Sequence, residues 1–315
     1  MKPLDIISLV VYGTTIVLGL PSNVLALYVF YCRAKARLTP NLIYMMNLCL
    51  SDLVFILFLP LKMLEMVKME QPMPSFLCPL YNLMHFGTIY TSACFLTVVS
   101  VGRYLGAVYP IHYQVHKKAC YSCLVSLGIW CLVGSHGLLI FALETTRDIN
   151  STLFAGEDTS CYSNFSQAQI DLLAPVRLEL SVVLFFLPLA ITSFCYVGCI
   201  RVLVGSHLHQ QKKRRAVKVA VATLVVFVLC FGPYNVSHVV GFIQWRDIEW
   251  RNIALLPSAC NAFLDPLIFY FLSSDMDDSI AQVWLSLRKK YSSIWLKIAL
   301  AHGKARSQQP VSSVA

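Results

Sequence analysis

The chain has 315 residues, 57% of them hydrophobic and 13% charged, with a mean hydropathy of +0.65. A soluble domain is roughly 45–50% apolar and about 25% charged, so this composition argues against a soluble enzyme, a disordered chain and a small disulfide scaffold, and for a multi-pass membrane protein. The net charge of +9 would suit nucleic acid if it were clustered on one soluble face, but it is spread between apolar runs.

Seven apolar stretches predict membrane-spanning helices at residues 6–31, 41–67, 76–108, 121–143, 175–204, 213–243 and 250–272, each near or above the roughly 20 residues that cross a bilayer. The first is read as a span that directs its own insertion, since it is longer than a leader's apolar region and lacks a basic start. The expected fold class is an all-α membrane protein: a seven-transmembrane helix bundle over 1–272, a short amphipathic helix over 273–291 with Trp284 at the interface, and a polar, disordered cytoplasmic tail over 292–315.

Charge placement sets the orientation. Arg33, Lys35 and Arg37 follow the first span, and Arg103, Lys117 and Lys118 the third. Lys212 to Arg215 follow the fifth, and Arg288 to Lys290, Lys297, Lys304 and Arg306 lie in the tail. Basic residues collect on the cytoplasmic side, so the tail is expected inside and the N-terminus outside, at the plasma membrane. The positive balance then reflects topology and attraction to anionic membrane lipid, with no nucleic-acid partner.

Of the 12 cysteines, Cys78 and Cys161 alone fall on the expected outer side. A disulfide between them would pin the loop after the fourth span over the helix mouth; two free thiols in an oxidising space are the alternative. Cys120 and Cys123 form a Cys-x-x-Cys pair, but at the start of a membrane helix it lacks the context of a metal or redox site. Neither a metal nor a cofactor is expected. Asn150 and Asn164 open glycosylation sequons in the outer loop.

Ionisable groups in a membrane cost about 2.5–3.5 kcal/mol at mid-helix, so each needs a reason. Asn23, Asp52, Asn261 and Asp265 form one group at mid-depth or toward the cytoplasm, readable as a structural polar network or a conformational switch. Toward the outside stand Arg177 and Arg251, with Lys62, Glu65 and Glu144 at helix ends and Tyr90, His136, Tyr234, Asn235 and His238 in the outer halves of their spans. Two guanidiniums facing one cavity would grip an anionic head group through paired hydrogen bonds. Equally, each Arg could pair with Glu144, Glu65, Glu179 or Asp171 and only fix loops.

Together the motifs resemble the rhodopsin-like (class A) G-protein-coupled receptors. Leu48 to Asp52, Trp130, Pro188 with Tyr196, and Asp265-Pro266 through Tyr270 match that family's helix signatures, and Gly102-Arg103-Tyr104 stands at its acid-Arg-Tyr position. Gly102 replaces the usual acid, Phe231 a common Trp, and Asp265 the usual Asn. The resemblance implies coupling to a heterotrimeric G protein through Arg103, Tyr104, Tyr196 and Tyr270, with Asp52 and Asp265 in the switch. Arrestin would be recruited through tail serines such as Ser292, Ser307 and Ser312.

Leu59 to Lys62, Arg103 to Gly106, Pro175 to Leu180 and Cys230 to His238 resemble segments of the free fatty acid receptors. That resemblance implies a fatty acid carboxylate held by Arg177 and Arg251, with Tyr90, His136, Tyr234, Asn235 and His238 lining the site and Glu144 and Lys62 supporting it. The motifs are a mosaic of the short-chain and long-chain members, with short to medium chains favoured. Two rivals stand against this. A monocarboxylate carrier usually shows internal repeats and broken helices, and an intramembrane enzyme would need a nucleophile–base pair or a His-Glu-x-x-His metal motif; the chain shows none of these.

Overall fold

In hydrocarbon every backbone N–H and C=O must be paired within its own segment, which leaves the helix as the form for a single apolar run. The computed structural model describes residues 3–67, 77–116, 118–151, 167–206 and 210–272, and these are almost wholly helical. The helices are α1 (Pro3–Ala36), α2 (Pro40–Val67), α3 (Leu77–Val108), a short α4 (Pro110–His116), α5 (Ala119–Ser151), α6 (Gln167–Ser181), α7 (Leu187–Gly205), α8 (Gln210–Gln244) and α9 (Arg251–Leu272). A π-turn over Val182–Phe186 joins α6 and α7 into one span.

Local signals set several ends. Pro3, Pro40 and Pro110 open α1, α2 and α4, where the missing N–H costs nothing. Thr39 Oγ1 accepts the Leu42 N–H at 3.4 Å as a cap for α2. Asp5 sits in the first turn of α1 and Arg33 and Lys35 in its last, each opposing the nearby end of the helix dipole. The π-turn precedes Pro188, and its wider ladder is seen in the Leu187 N–H donating to Val182 O.

Among the described residues six helices are long and apolar enough to cross a membrane, with α6, the π-turn and α7 counted as one. The seventh expected span, α9, is more polar because it carries Arg251, Asn252, Asn261 and Asp265. It packs against α8 and α1, and Arg251, Asn261 and Asp265 are buried against protein whereas Asn252 is exposed.

Three boundaries differ from expectation. The first helix runs five residues past 31 to Ala36, and α5 runs past 143 to Ser151, which puts the backbone of Asn150 in its last turn instead of a loop. The fifth span begins at Gln167, not at Pro175; the upstream turns are held by contacts to a distant loop described below. Several expected features have side chains outside the described residues: Cys78 with Cys161, Glu144, Asn150, Asn164, Tyr270, and the helix and tail over 273–315.

The main core joins α3, the π-turn and α8 around Phe95, Leu96, Leu184, Phe227 and Phe231, all nearly fully buried. Phe227 and Phe231 meet edge to face at 5.3 Å, so Phe231 fills its position as a packed aromatic. A smaller cluster of Tyr12, Phe55, Ile56, Leu59 and Ala259 binds α1, α2 and α9.

Candidate ligand-binding site

Arg177 comes from α6 and Arg251 from the first position of α9, and both side chains are buried. A buried guanidinium must find an acceptor. Both find the same one: Arg251 Nη1 donates to Asp247 Oδ1, and Arg177 Nη1 stands 3.8 Å from that oxygen. Asp247 lies in the turn between α8 and α9, and its side chain is 32% exposed against 7% and 6% for the two arginines. It therefore covers the pair from the outer side. Asp247 escaped the sequence reading, which considered Glu65, Glu144, Glu179 and Asp171; its place four residues ahead of Arg251 was the available signal.

The turn is clamped. Trp245 is the one non-glycine residue with positive φ, at 51°, among the described residues, a conformation costing about 1–3 kcal/mol. Its indole Nε1 donates to Asp171 Oδ1 at 2.7 Å, its carbonyl accepts from Gln167 Nε2 at 3.3 Å, and its ring packs on Phe242 at 5.3 Å. Asp171 and Gln167 belong to the extra turns of α6, so those turns exist because they grip this loop. Below it, Gly241 leaves room for Arg251: a Cβ there would lie 3.3 Å from Arg251 Nη2 and 3.4 Å from Arg246 O.

Beside the Arg177 guanidinium lies a small cavity that Arg177, Tyr90, Tyr234 and His238 line together with Phe86, Ile140, Leu173, Val176 and Leu180. Tyr234 stacks on Phe86 at 5.4 Å and meets His238 edge-on at 4.4 Å. Tyr90 donates to Asn235 Oδ1 at 3.4 Å, which is a weak bond, and Asn235 Nδ2 donates to Phe231 O. Two buried nitrogens, His238 Nδ1 and Arg251 Nε, have no hydrogen-bond partner. Buried polar atoms are rarely left unpaired in proteins; here His238 lines the cavity that Arg177 also lines, while Arg251 is outside its lining and shares Asp247 with Arg177.

His136 is placed differently. It lines an adjoining small cavity between α3, α5 and α6, which shares Phe86, Tyr90, Ile140 and Leu180 with the first. Its ring bonds Leu132 O and, at 3.2 Å, Glu179 Oε1. Lys62 pairs with Glu65 at 2.8 Å and lies over the Tyr81 ring, and it lines neither cavity.

Deeper in the bundle, Asp52 accepts from Ser92 at 3.3 Å, Asn261 donates to Asp265 at 2.9 Å, and Asn23 reaches Ala262 O across from α1 to α9. Asn23 Oδ1, Asp52 Oδ2 and Asn261 Oδ1 are buried without partners. Trp130 Nε1 ties α5 to α2 through Asn47 at 3.0 Å. At the far end Arg103 donates to the Tyr196 hydroxyl at 3.3 Å. The place of the absent acid at Gly102 is filled by Asn41, whose Oδ1 would collide with an added Cβ, with the Tyr113 hydroxyl 3.4 Å away. Burial, reinforced by Tyr44, raises the Tyr113 phenol above its ordinary value, so it stays a hydrogen-bond donor.

Residues 22–269 match the family described as 7 transmembrane receptor (rhodopsin family). The chain is 41% identical over 267 residues to human free fatty acid receptor 3, covering 84% of this chain and 76% of that one. It is 40% identical over 278 residues to free fatty acid receptor 1 of Macaca fascicularis, covering 84% and 91%, and 38% identical over 281 residues to free fatty acid receptor 2 of Rattus norvegicus, covering 88% and 84%.

Proposed function

Because the chain belongs to the rhodopsin-family seven-transmembrane receptors, as a G-protein-coupled receptor and not an enzyme, we propose that its ligand is a free fatty acid whose carboxylate is held by Arg177 and Arg251. The observation that carries this reading is the buried Arg pair beside an apolar cavity, with His238 Nδ1 and Arg251 Nε unpaired. A carboxylate offers acceptor sites for about four hydrogen bonds, enough for both guanidiniums and a further donor. Tyr90 and Tyr234 complete the polar wall, with Asn235 behind it bonded to Tyr90, and Phe86, Ile140, Leu173, Val176 and Leu180 meet the alkyl chain. These names agree with the three similar receptors, each called a free fatty acid receptor.

Short to medium acids are the favoured ligands. A ligand of four to six heavy atoms gains at most about 6–9 kcal/mol at a ceiling of about 1.5 kcal/mol per atom, which corresponds to micromolar to millimolar action. A second reading, a long-chain receptor, is favoured by the adjoining cavity, which shares four wall residues with the first. A tail that crossed Phe86 and Ile140 would gain about 0.8 kcal/mol for each further buried CH₂.

The receptor sits in the plasma membrane with its N-terminus outside and its tail in the cytoplasm. Ligand bound between α6 and α9 favours whichever bundle arrangement binds it better. Because α8 packs against both helices, that preference is transmitted along α8 to the cytoplasmic end. There Arg103, Tyr104 and Tyr196 meet the G protein, and the tail serines meet arrestin.

The test is G-protein activation in cells across carboxylates from acetate to a long-chain acid, with surface expression measured beside it. Arg177→Ala and Arg251→Ala should each abolish the response while the receptor stays at the surface. Wild-type potency in either variant overturns the two-arginine site, and the position of the potency peak decides between the chain-length readings.

A further inference from the structure

The carboxylate of Asp247 occupies the ground that a ligand carboxylate needs. One oxygen is hydrogen-bonded to Arg251 Nη1 and lies 3.8 Å from Arg177 Nη1. It is delivered there by a turn that Trp245 holds in a left-handed conformation through Asp171 and Gln167. The fit is incomplete, since Arg251 Nε and His238 Nδ1 stay unpaired and the acid approaches from the exposed side instead of from the cavity.

We infer that Asp247 is a tethered competitor that sets the receptor's affinity for free carboxylates. This rests on the carboxylate site proposed above. A group fixed to its own binding site competes at the effective concentration its tether allows, and a clamped turn keeps that concentration high. A free acid must displace Asp247 from the pair, and its measured potency is the intrinsic affinity divided by that competition. Affinity is then tunable from a turn that never contacts the alkyl chain. The opposite role, an acid that only positions the two guanidiniums, predicts the opposite sign: removing it would scatter them and weaken binding.

The experiment compares wild type, Asp247→Asn, Asp247→Glu and Arg177→Ala at matched surface expression, with propionate and hexanoate as probes. The Asn variant keeps the side-chain volume and removes the charge, so both acids should become about tenfold more potent at unchanged maximal response. The Glu variant carries the carboxylate one methylene further toward Arg177, so it should be severalfold less potent than wild type. Unchanged or reduced potency in Asp247→Asn overturns the inference. If the Asn variant fails to reach the surface, Asp247→Glu decides alone: a rightward shift supports competition, and an unchanged or leftward curve overturns it. A full response in Arg177→Ala sinks the carboxylate site itself, whereas a silent Arg177→Ala beside an unmoved Asp247→Asn sinks only the competitor.

Discussion

At the scale of single residues, the outer site depends on atoms too close for substitution. Gly241 permits Arg251 to lie against α8, with Arg246 O on the other side of the gap. A β-branched side chain there must push either a guanidinium or a backbone carbonyl. Gly241→Val should therefore lower carboxylate potency by at least tenfold while surface expression persists, read from acid concentration–response curves. Gly102 is a different case: Asn41 already fills the space an acidic side chain would take. Arg103 donates to the Tyr196 phenol, and position 102 beside it carries no carboxylate.

At the scale of elements, the N-terminal turns of α6 and the α8–α9 turn stabilise each other. The pair Trp245–Asp171 links positions 74 residues apart, and neither side has a local reason for its shape. Asp171→Ala removes the indole's acceptor and leaves the strained φ of Trp245 held only by the Gln167 bond and the Phe242 ring. The turn should loosen, seen as faster deuterium uptake over 245–250, and Asp247 should compete less well, seen as a threefold or larger gain in propionate potency. Protected exchange in that variant would mean the clamp lies elsewhere. The expectation that the fifth span starts at Pro175 failed at this scale. Proline is well suited to a first turn, and only the tertiary grip on Gln167 and Asp171 carries the helix through it.

At the scale of the whole molecule, packed helices link the proposed ligand site to the proposed cytoplasmic face. Between them, α3 contributes Tyr90 to the cavity and Arg103 to the far end, and α7 returns Tyr196 to Arg103. Tyr196→Phe keeps the buried ring and deletes the hydroxyl. It should reduce maximal G-protein activation severalfold while propionate competition binding moves less than threefold. A parallel loss of binding would place Tyr196 in the stability of the fold and not in the coupling step.

Much of this was legible in the sequence because the membrane imposes local rules. A window of about 20 residues suffices to find a span, so seven helices emerged within a few residues of their observed ends, except where α5 and α6 continue into the outer region. Arg177, Tyr90, Tyr234 and His238 were readable as one cluster because buried polar residues in apolar runs are few. What hydropathy does not encode is rotation about each helix axis and the path of short turns. Those decided that His136 lines the neighbouring cavity and bonds Glu179, that Lys62 closes on Glu65, and that α9 buries Asn261 and Asp265 within the bundle. They also decided that Asp247, an unremarked acid in a turn, is the group that both buried arginines reach. The sequence by itself determined the membrane class and the all-helical fold, and it picked out Arg177 and Arg251 as buried cations, since each follows from free energies of transfer along the chain. The tertiary structure alone decided which anion those cations meet, because that choice depends on distances between segments far apart in sequence.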